Sequence, residues 1–131
     1  MLELSWSEIK GWLTTVSYDL KKEKLDFVCG LSRGGLVPAV ILSYLLDAPL
    51  LADFPSEDEL LHGLAFKSIL FVDDSEKNFS KCSGWIDPEE DYYHKFICLT
   101  KSTSFDHEDI WKHYLNTDEQ VVFPWEVNNA L

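Results

Sequence analysis

A chain of 131 residues and 15.1 kDa holds one domain's worth of sequence, enough to withdraw roughly two thirds of the unfolded surface from water around a single core. Apolar residues at 46%, aromatics at 14% and charged residues at 26% exclude a disordered tract, so one domain over residues 1–131 is expected. Lys and Arg total 11 against 23 Asp and Glu, a formal charge of −12 that repels phosphate backbones and anionic lipid, so neither nucleic acid nor a membrane is expected as a partner.

Ser5-Trp6-Ser7-Glu8 has capping-box spacing, and Ile9, Trp12, Leu13, Val16 and Leu20 then recur as one apolar helical stripe. The run Leu25 to Leu31 reads as a buried strand, broken sharply by Ser32-Arg33-Gly34-Gly35, and Leu36 to Leu46 returns to helix length. Pro49 to Ala52 is a brief candidate strand, and Phe54 to Gly63 is acidic with helix-start signals at Ser56. Ser68 to Val72 is apolar on both faces, as in a covered parallel sheet, and is expected to end at Asp73-Asp74. Residues 75 to 94 read as irregular, Lys95 to Thr100 as a further strand, and Asp106 to Tyr114 as a short helix before Val121-Val122-Phe123. The alternation predicts an α/β fold, an open and mainly parallel twisted sheet flanked by helices.

Cys29, Cys82 and Cys98 are odd in number and show no Cys-x-x-Cys spacing, which predicts reduced thiols in a cytoplasmic protein. No secretory leader is expected, because Glu3 and Glu8 interrupt the start. The most apolar stretch, Leu36 to Ala52, contains Pro38, Asp47 and Pro49 and is too short to span a bilayer.

In open α/β sheets ligands sit beyond the carboxyl ends of the strands, and that is where Ser32-Arg33-Gly34-Gly35, Asp73-Asp74 and Lys101 should converge. Arg33 is the only arginine in the chain and lies in a Gly-flanked strand-to-helix turn. Glycines let a backbone approach an anion, the helix start offers free N–H groups, and a guanidinium grips phosphate bidentately. A plain turn with a surface arginine would carry the same letters. Asp73 and Asp74 suit sugar hydroxyls or a magnesium ion already bound to phosphates, although one could equally be a helix cap and the other solvated. His107 and His113 lack metal-ligand spacing and read as surface residues; Trp6, Trp12 and Trp111 read as packing, and the Glu89-Glu90-Asp91 run as a solvated loop.

Leu31-Ser32-Arg33-Gly34-Gly35-Leu36-Val37-Pro38-Ala39 and Ile69-Leu70-Phe71-Val72-Asp73-Asp74 resemble the pyrophosphate loop and the acidic signature of type I phosphoribosyltransferases. Val121-Val122-Phe123-Pro124-Trp125-Glu126 is similar to the end of the compact members that act on hypoxanthine, xanthine and guanine. The resemblance implies a phosphoribosyltransferase-like fold with a reduced hood, the segment from Ala52 to Lys67 being short beside that of larger members. It implies a protein that binds 5-phosphoribosyl 1-pyrophosphate (PRPP) or a purine nucleotide with Mg2+ and transfers the phosphoribosyl group to a 6-oxopurine, releasing pyrophosphate.

Carried over by position, Arg33, Asp73 and Asp74 are the expected catalytic residues, and Asp73 and Asp74 the expected magnesium ligands. Ser32, Arg33, Gly34, Gly35, Lys77, Asn78 and Ser80 would bind pyrophosphate or phosphate, and Lys101, Phe123 and Trp125 the base. The chain departs from the family where an Asp-Thr-Gly-x-Thr loop wraps the 5′-phosphate, reading Lys77-Asn78-Phe79-Ser80-Lys81 instead. A left-handed turn at Phe79 would cost about 1–2 kcal/mol and aim its ring at the phosphate. Lys77 replaces an aspartate proposed to take the base's proton, and Gln120 an aromatic expected to stack on the purine. The alternative is therefore a binding or regulatory protein that keeps the fold and the anion pocket without turnover, and a third is an acidic interaction module. A homodimer is left open.

Overall fold

The computed structural model describes residues 1–56, 58–59, 63–64, 67–85, 94–105 and 110–126. The first elements are β1 (Leu2–Glu3), α1 (Trp6–Leu20), β2 (Phe27–Gly30), α2 (Arg33–Leu46), β3 (Leu50–Leu51) and β4 (Ile69–Ser75). A helical turn (Glu76–Asn78), α3 (Phe79–Cys82) and a second turn (Ser83–Trp85) lead to β5 (His94–Lys101), β6 (Ile110–Asn116) and β7 (Val121–Val122).

α1 begins where its capping box predicts: Ser5 Oγ accepts from the Glu8 amide at 3.1 Å and Glu8 Oε1 accepts from the Ser5 amide at 3.1 Å. Its stripe of Ile9, Leu13, Val16 and Leu20 is buried. Ser56 and Glu59 form the same reciprocal pair. The rest of the helix expected there falls partly outside the described residues, as do His107, the Glu89-Glu90-Asp91 run and the last residues of the chain.

The five-stranded sheet has the order β3-β2-β4-β5-β6 with every pairing parallel. Side chains alternate between its faces with period two. Val28, Leu70, Val72, Ile97 and Leu99 meet α1 and α2 on one face, while Cys29, Ile69, Phe71, Phe96 and Cys98 meet Phe79 and Cys82 on the other. Phe71 and Phe96 are fully buried, each contributing about 1.5–3 kcal/mol relative to exposure. Phe54, just after β3, stacks on Phe71 at 5.6 Å and so lies on the sheet. β1 and β7 form a separate parallel pair, with Leu2 opposite Val121.

Three sequence expectations are corrected. The segment expected as a helix from Asp106 to Tyr114 is, in its described part, strand β6; Ile110, Trp111 and Tyr114 favour a pleated surface, and β5 needs a partner on its outer edge. β4 does not end before the acid pair but runs through both acids to Ser75. The stretch after it is not irregular up to residue 85 but coiled into helical turns.

From β2 the chain crosses to β3 on one side and then returns to β4 on the other, so the strand order reverses between β2 and β4. The crevice outside the carboxyl ends of such a pair is where open α/β sheets receive ligands.

Candidate functional site

Leu31, just past β2, donates its amide to the Val72 carbonyl at 3.0 Å, which lays the following loop against the end of β4. Ser32 caps α2: its Oγ accepts from the Gly35 amide at 3.2 Å and donates to Asp73 Oδ1 at 2.5 Å. Neither Gly34 nor Gly35 has a positive φ, so close approach rather than backbone freedom accounts for them. A Cβ on Gly34 would lie 2.1 Å from Asp74 Oδ2, and one on Gly35 would lie 2.5 Å from the Val72 carbonyl oxygen. The absent side chains admit β4 and its acids to the start of α2, with Arg33 exposed on the first turn.

Because β4 runs through both acids, alternation turns them to opposite faces of the sheet. Asp73 is fully buried. Its Oδ1 accepts from Ser32 Oγ and from the Asp74 amide at 2.8 Å, and its Oδ2 accepts from Asn78 Nδ2 at 2.7 Å. Asp74 instead lies against Gly34 and opens into a pocket of about 460 Å³. Burial pushes its carboxyl up to about 6, and the neighbouring charges of Asp73 and Glu126 add to the effect.

Asp74, Glu76, Asp118, Glu119 and Glu126 line this pocket together with a single cation, Lys77. Three of these carboxylates are engaged, Glu119 with the terminal ammonium of Met1 at 3.7 Å and the other two in the walls. Glu76 Oε1 accepts from the Ser102 amide at 3.0 Å, and Asp118 accepts from Thr103 Oγ1, from Ser102 Oγ at 2.7 Å and from the Thr103 amide at 2.9 Å, bonds that hold its carboxyl below the usual range. Thr100 Oγ1 donates to the Asp74 carbonyl at 3.0 Å and ties the ends of β4 and β5 together. Sequence reading missed Glu76, Asp118, Glu119 and Glu126. The last residues of β6 and the loop after it reach the same edge as the ends of β4 and β5, a signal hidden while residues 106–114 were read as a helix.

The chain matches no family model and no curated relative, so its likeness to other proteins lies in three-dimensional structure. It is similar to a purine phosphoribosyltransferase of Pyrococcus horikoshii Ot3, at 26% identity and a TM-score of 0.72, over 95% of this chain and 93% of that one. The xanthine-guanine-hypoxanthine phosphoribosyltransferase of Helicobacter pylori gives 16% identity and a TM-score of 0.69, covering 96% and 92% of the two chains. The chain has a type I phosphoribosyltransferase-like fold. A Neisseria gonorrhoeae protein solved with bound ppGpp is also similar, at 17% identity and a TM-score of 0.68, over 98% of this chain and 91% of that one.

In this phosphoribosyltransferase-like fold the altered signature after Asp74 has a visible structural outcome. Phe79 has helical backbone, φ −55°, and its ring is buried against Phe96 at 5.1 Å. Neither the strained turn nor the obstructing ring expected from the sequence occurs. The Asn78 amide donates to Asp73, Lys77 lines the pocket, and Ser80 and Lys81 are exposed. The Lys101 ammonium donates to the Phe105 carbonyl at 2.9 Å. Phe123 lines the pocket and is backed by Trp125, stacked at 4.9 Å and 3°.

Among the described residues no helix is long and apolar enough to cross a membrane, and no three His, Cys, Asp or Glu side chains gather as a metal cage.

Proposed function

We propose that this protein binds PRPP or a purine nucleotide as a magnesium complex at the edge between β2 and β4, and transfers the phosphoribosyl group to a 6-oxopurine with release of pyrophosphate. The observation that carries the reading is the contact of Gly34 with Asp74, which sets the arginine-bearing start of α2 beside a pocket-facing carboxylate at the reversal of strand order. The purine phosphoribosyltransferases similar to this chain support the reaction class.

Arg33 and the amides at the start of α2 would hold the pyrophosphate, where the helix dipole favours negative charge. Lys77 and Ser80 would reach the 5′-phosphate. Phe123, backed by Trp125, offers a face to the base, and Lys101 would exchange the Phe105 carbonyl for a 6-oxo group. As the bond from C1′ to pyrophosphate breaks, its electron pair leaves with the pyrophosphate, and the base nitrogen supplies the pair for the new bond while its proton passes to solvent water. Positive charge develops on the sugar meanwhile, and the acidic walls favour it.

The donor set fits magnesium. Asp74 and Glu126 crowd negative charge on one wall, and Mg2+ is ordinarily held by one or two carboxylates plus ligand phosphates rather than by a protein cage. Those two residues would hold the ion, which supplies charge neutralisation to the leaving pyrophosphate.

Calorimetry with PRPP, IMP, GMP and ppGpp, with and without Mg2+, tests binding, and pyrophosphate release with hypoxanthine, guanine or xanthine tests transfer. Magnesium-dependent binding lost in Arg33→Ala is expected, and absence of binding by all four ligands would refute the reading. A second reading, binding without turnover in the cytoplasm, is favoured by Lys77, a lysine standing where the family has an aspartate. Binding without pyrophosphate release would select it.

A further inference from the structure

We propose that Asp73 and Asn78 are positioning residues that lock the start of α2 to the end of β4, leaving Asp74 as the one carboxylate of the pair that meets the ligand. The inference deepens the binding reading above and rests on it for the ligand, but its network is visible in the unliganded protein.

Asp73 has no exposure, and protein donors take both of its oxygens: Ser32 Oγ and the Asp74 amide on Oδ1, Asn78 Nδ2 on Oδ2. These donors come from the cap of α2, from β4 itself and from the turn after it. A carboxylate so committed would have to break charge-assisted hydrogen bonds to reach a sugar hydroxyl or a cation. Period-two alternation also aims it at the face of Phe71 and Phe79, away from the face where Asp74 meets Gly34. Asn78 gives one of its amide N–H groups to the same carboxylate. What Asp73 does instead is orient: Ser32 caps α2 through the same hydroxyl that it donates to Asp73, so the first turn bearing Arg33 is held in register with Asp74.

A reciprocal exchange tests this. Asn78→Asp alone sets carboxylate against carboxylate, whereas Asp73→Asn alone removes the charge but lets a flipped Asn78 amide accept from the new N–H. The double variant Asp73→Asn with Asn78→Asp restores every bond, the amide introduced on β4 now donating to the carboxylate introduced in the turn after it. Two readouts are needed, amide hydrogen exchange at Gly35 in the unliganded protein and calorimetric affinity for PRPP and for pyrophosphate with Mg2+. Asn78→Asp alone should speed exchange at Gly35 and weaken binding by about tenfold or more. The double variant should recover protection and come within about threefold of the original affinity.

Recovered protection without recovered affinity would put one of these side chains on the ligand and overturn the proposal, as would unchanged exchange in Asn78→Asp. If the unaltered protein binds neither probe, the functional reading fails, and exchange at Gly35 alone then upholds or overturns the lock. Should Asn78→Asp not fold, Asn78→Ala reads the same bond and is expected to speed exchange at Gly35.

Discussion

Gly34 and Gly35 are adjacent, share negative φ and lie in the first turn of α2, yet they should respond differently to alanine. At Gly35 the new Cβ would fall 2.5 Å from the Val72 carbonyl oxygen and 3.0 Å from Asp73 Cα, both backbone atoms of a central strand. Overpacking costs about 1–3 kcal/mol, the upper end applying where a strand must move, and the helix preference for Ala over Gly returns up to about 1 kcal/mol. The net loss is about 2 kcal/mol, a fall in Tm of roughly 8 °C at this chain length. At Gly34 the obstruction is the Asp74 carboxylate, 2.1 Å from the new atom, which side-chain rotation can relieve. Gly34→Ala should therefore cost less than about 1 kcal/mol while moving Asp74 out of place and weakening magnesium-dependent binding. Gly11, inside α1 with nothing within 4 Å, is the internal control, where Ala should stabilise by about 0.5–1 kcal/mol. Urea denaturation with comparison of midpoints at unchanged slope measures all three. A Gly35→Ala variant as stable as the parent, or a Gly34→Ala variant less stable than Gly35→Ala, would refute the reasoning.

Asp74 should make stability depend on pH. Its carboxyl is pushed up to about 6 from an ordinary 3.8, so the folded state binds the proton more tightly, and stability is lost as pH rises from about 4 to about 6. In metal-free buffer Asp74→Asn should stabilise at pH 8 by about 1 kcal/mol, the ceiling of about 3 kcal/mol being reduced by solvent screening, and should have little effect at pH 4; an equal change at both values would refute the assignment. Cys29, Cys82 and Cys98 are buried, and desolvation pushes each thiol up to about 12, so iodoacetamide should label none of them until the protein unfolds. Rapid labelling of the folded protein, followed by mass, would contradict that burial.

The fold was legible wherever local pattern and tertiary demand agreed. Ser5 and Glu8 announced α1, and the run from Leu25 to Leu31 broken at Ser32-Arg33 announced β2 and α2, because capping and turn chemistry act over a few residues. β6 was missed since Ile110, Trp111, Tyr114 and Leu115 fit a helical face as well as a half-buried strand, and only the open edge of β5 decides between them. Arg33, Gly34, Gly35 and Asp74 were expected together from their order along the chain, and the structure brings the loop and the acid together. The different fates of Asp73 and Asp74 were hidden by one boundary. With β4 ended at Val72 the acids form a loop pair free to point together, whereas with β4 carried to Ser75 alternation separates them. The place of Phe79 in the core could not be read from its position in a familiar signature, because the ring contacts Phe96 on β5, a strand that only the folded sheet brings near it.

The stack running from Phe123 through Trp125 to Trp6 gives the protein a native optical probe. Phe123 forms part of the pocket wall, Trp125 lies flat against it, and Trp6, 41% exposed, leans on Trp125 at 5.8 Å. A purine settling on Phe123 would alter the polarity and packing around these indoles, so that occupancy becomes readable as a change in tryptophan emission, with Trp6→Phe marking how much of the signal travels to the outer ring.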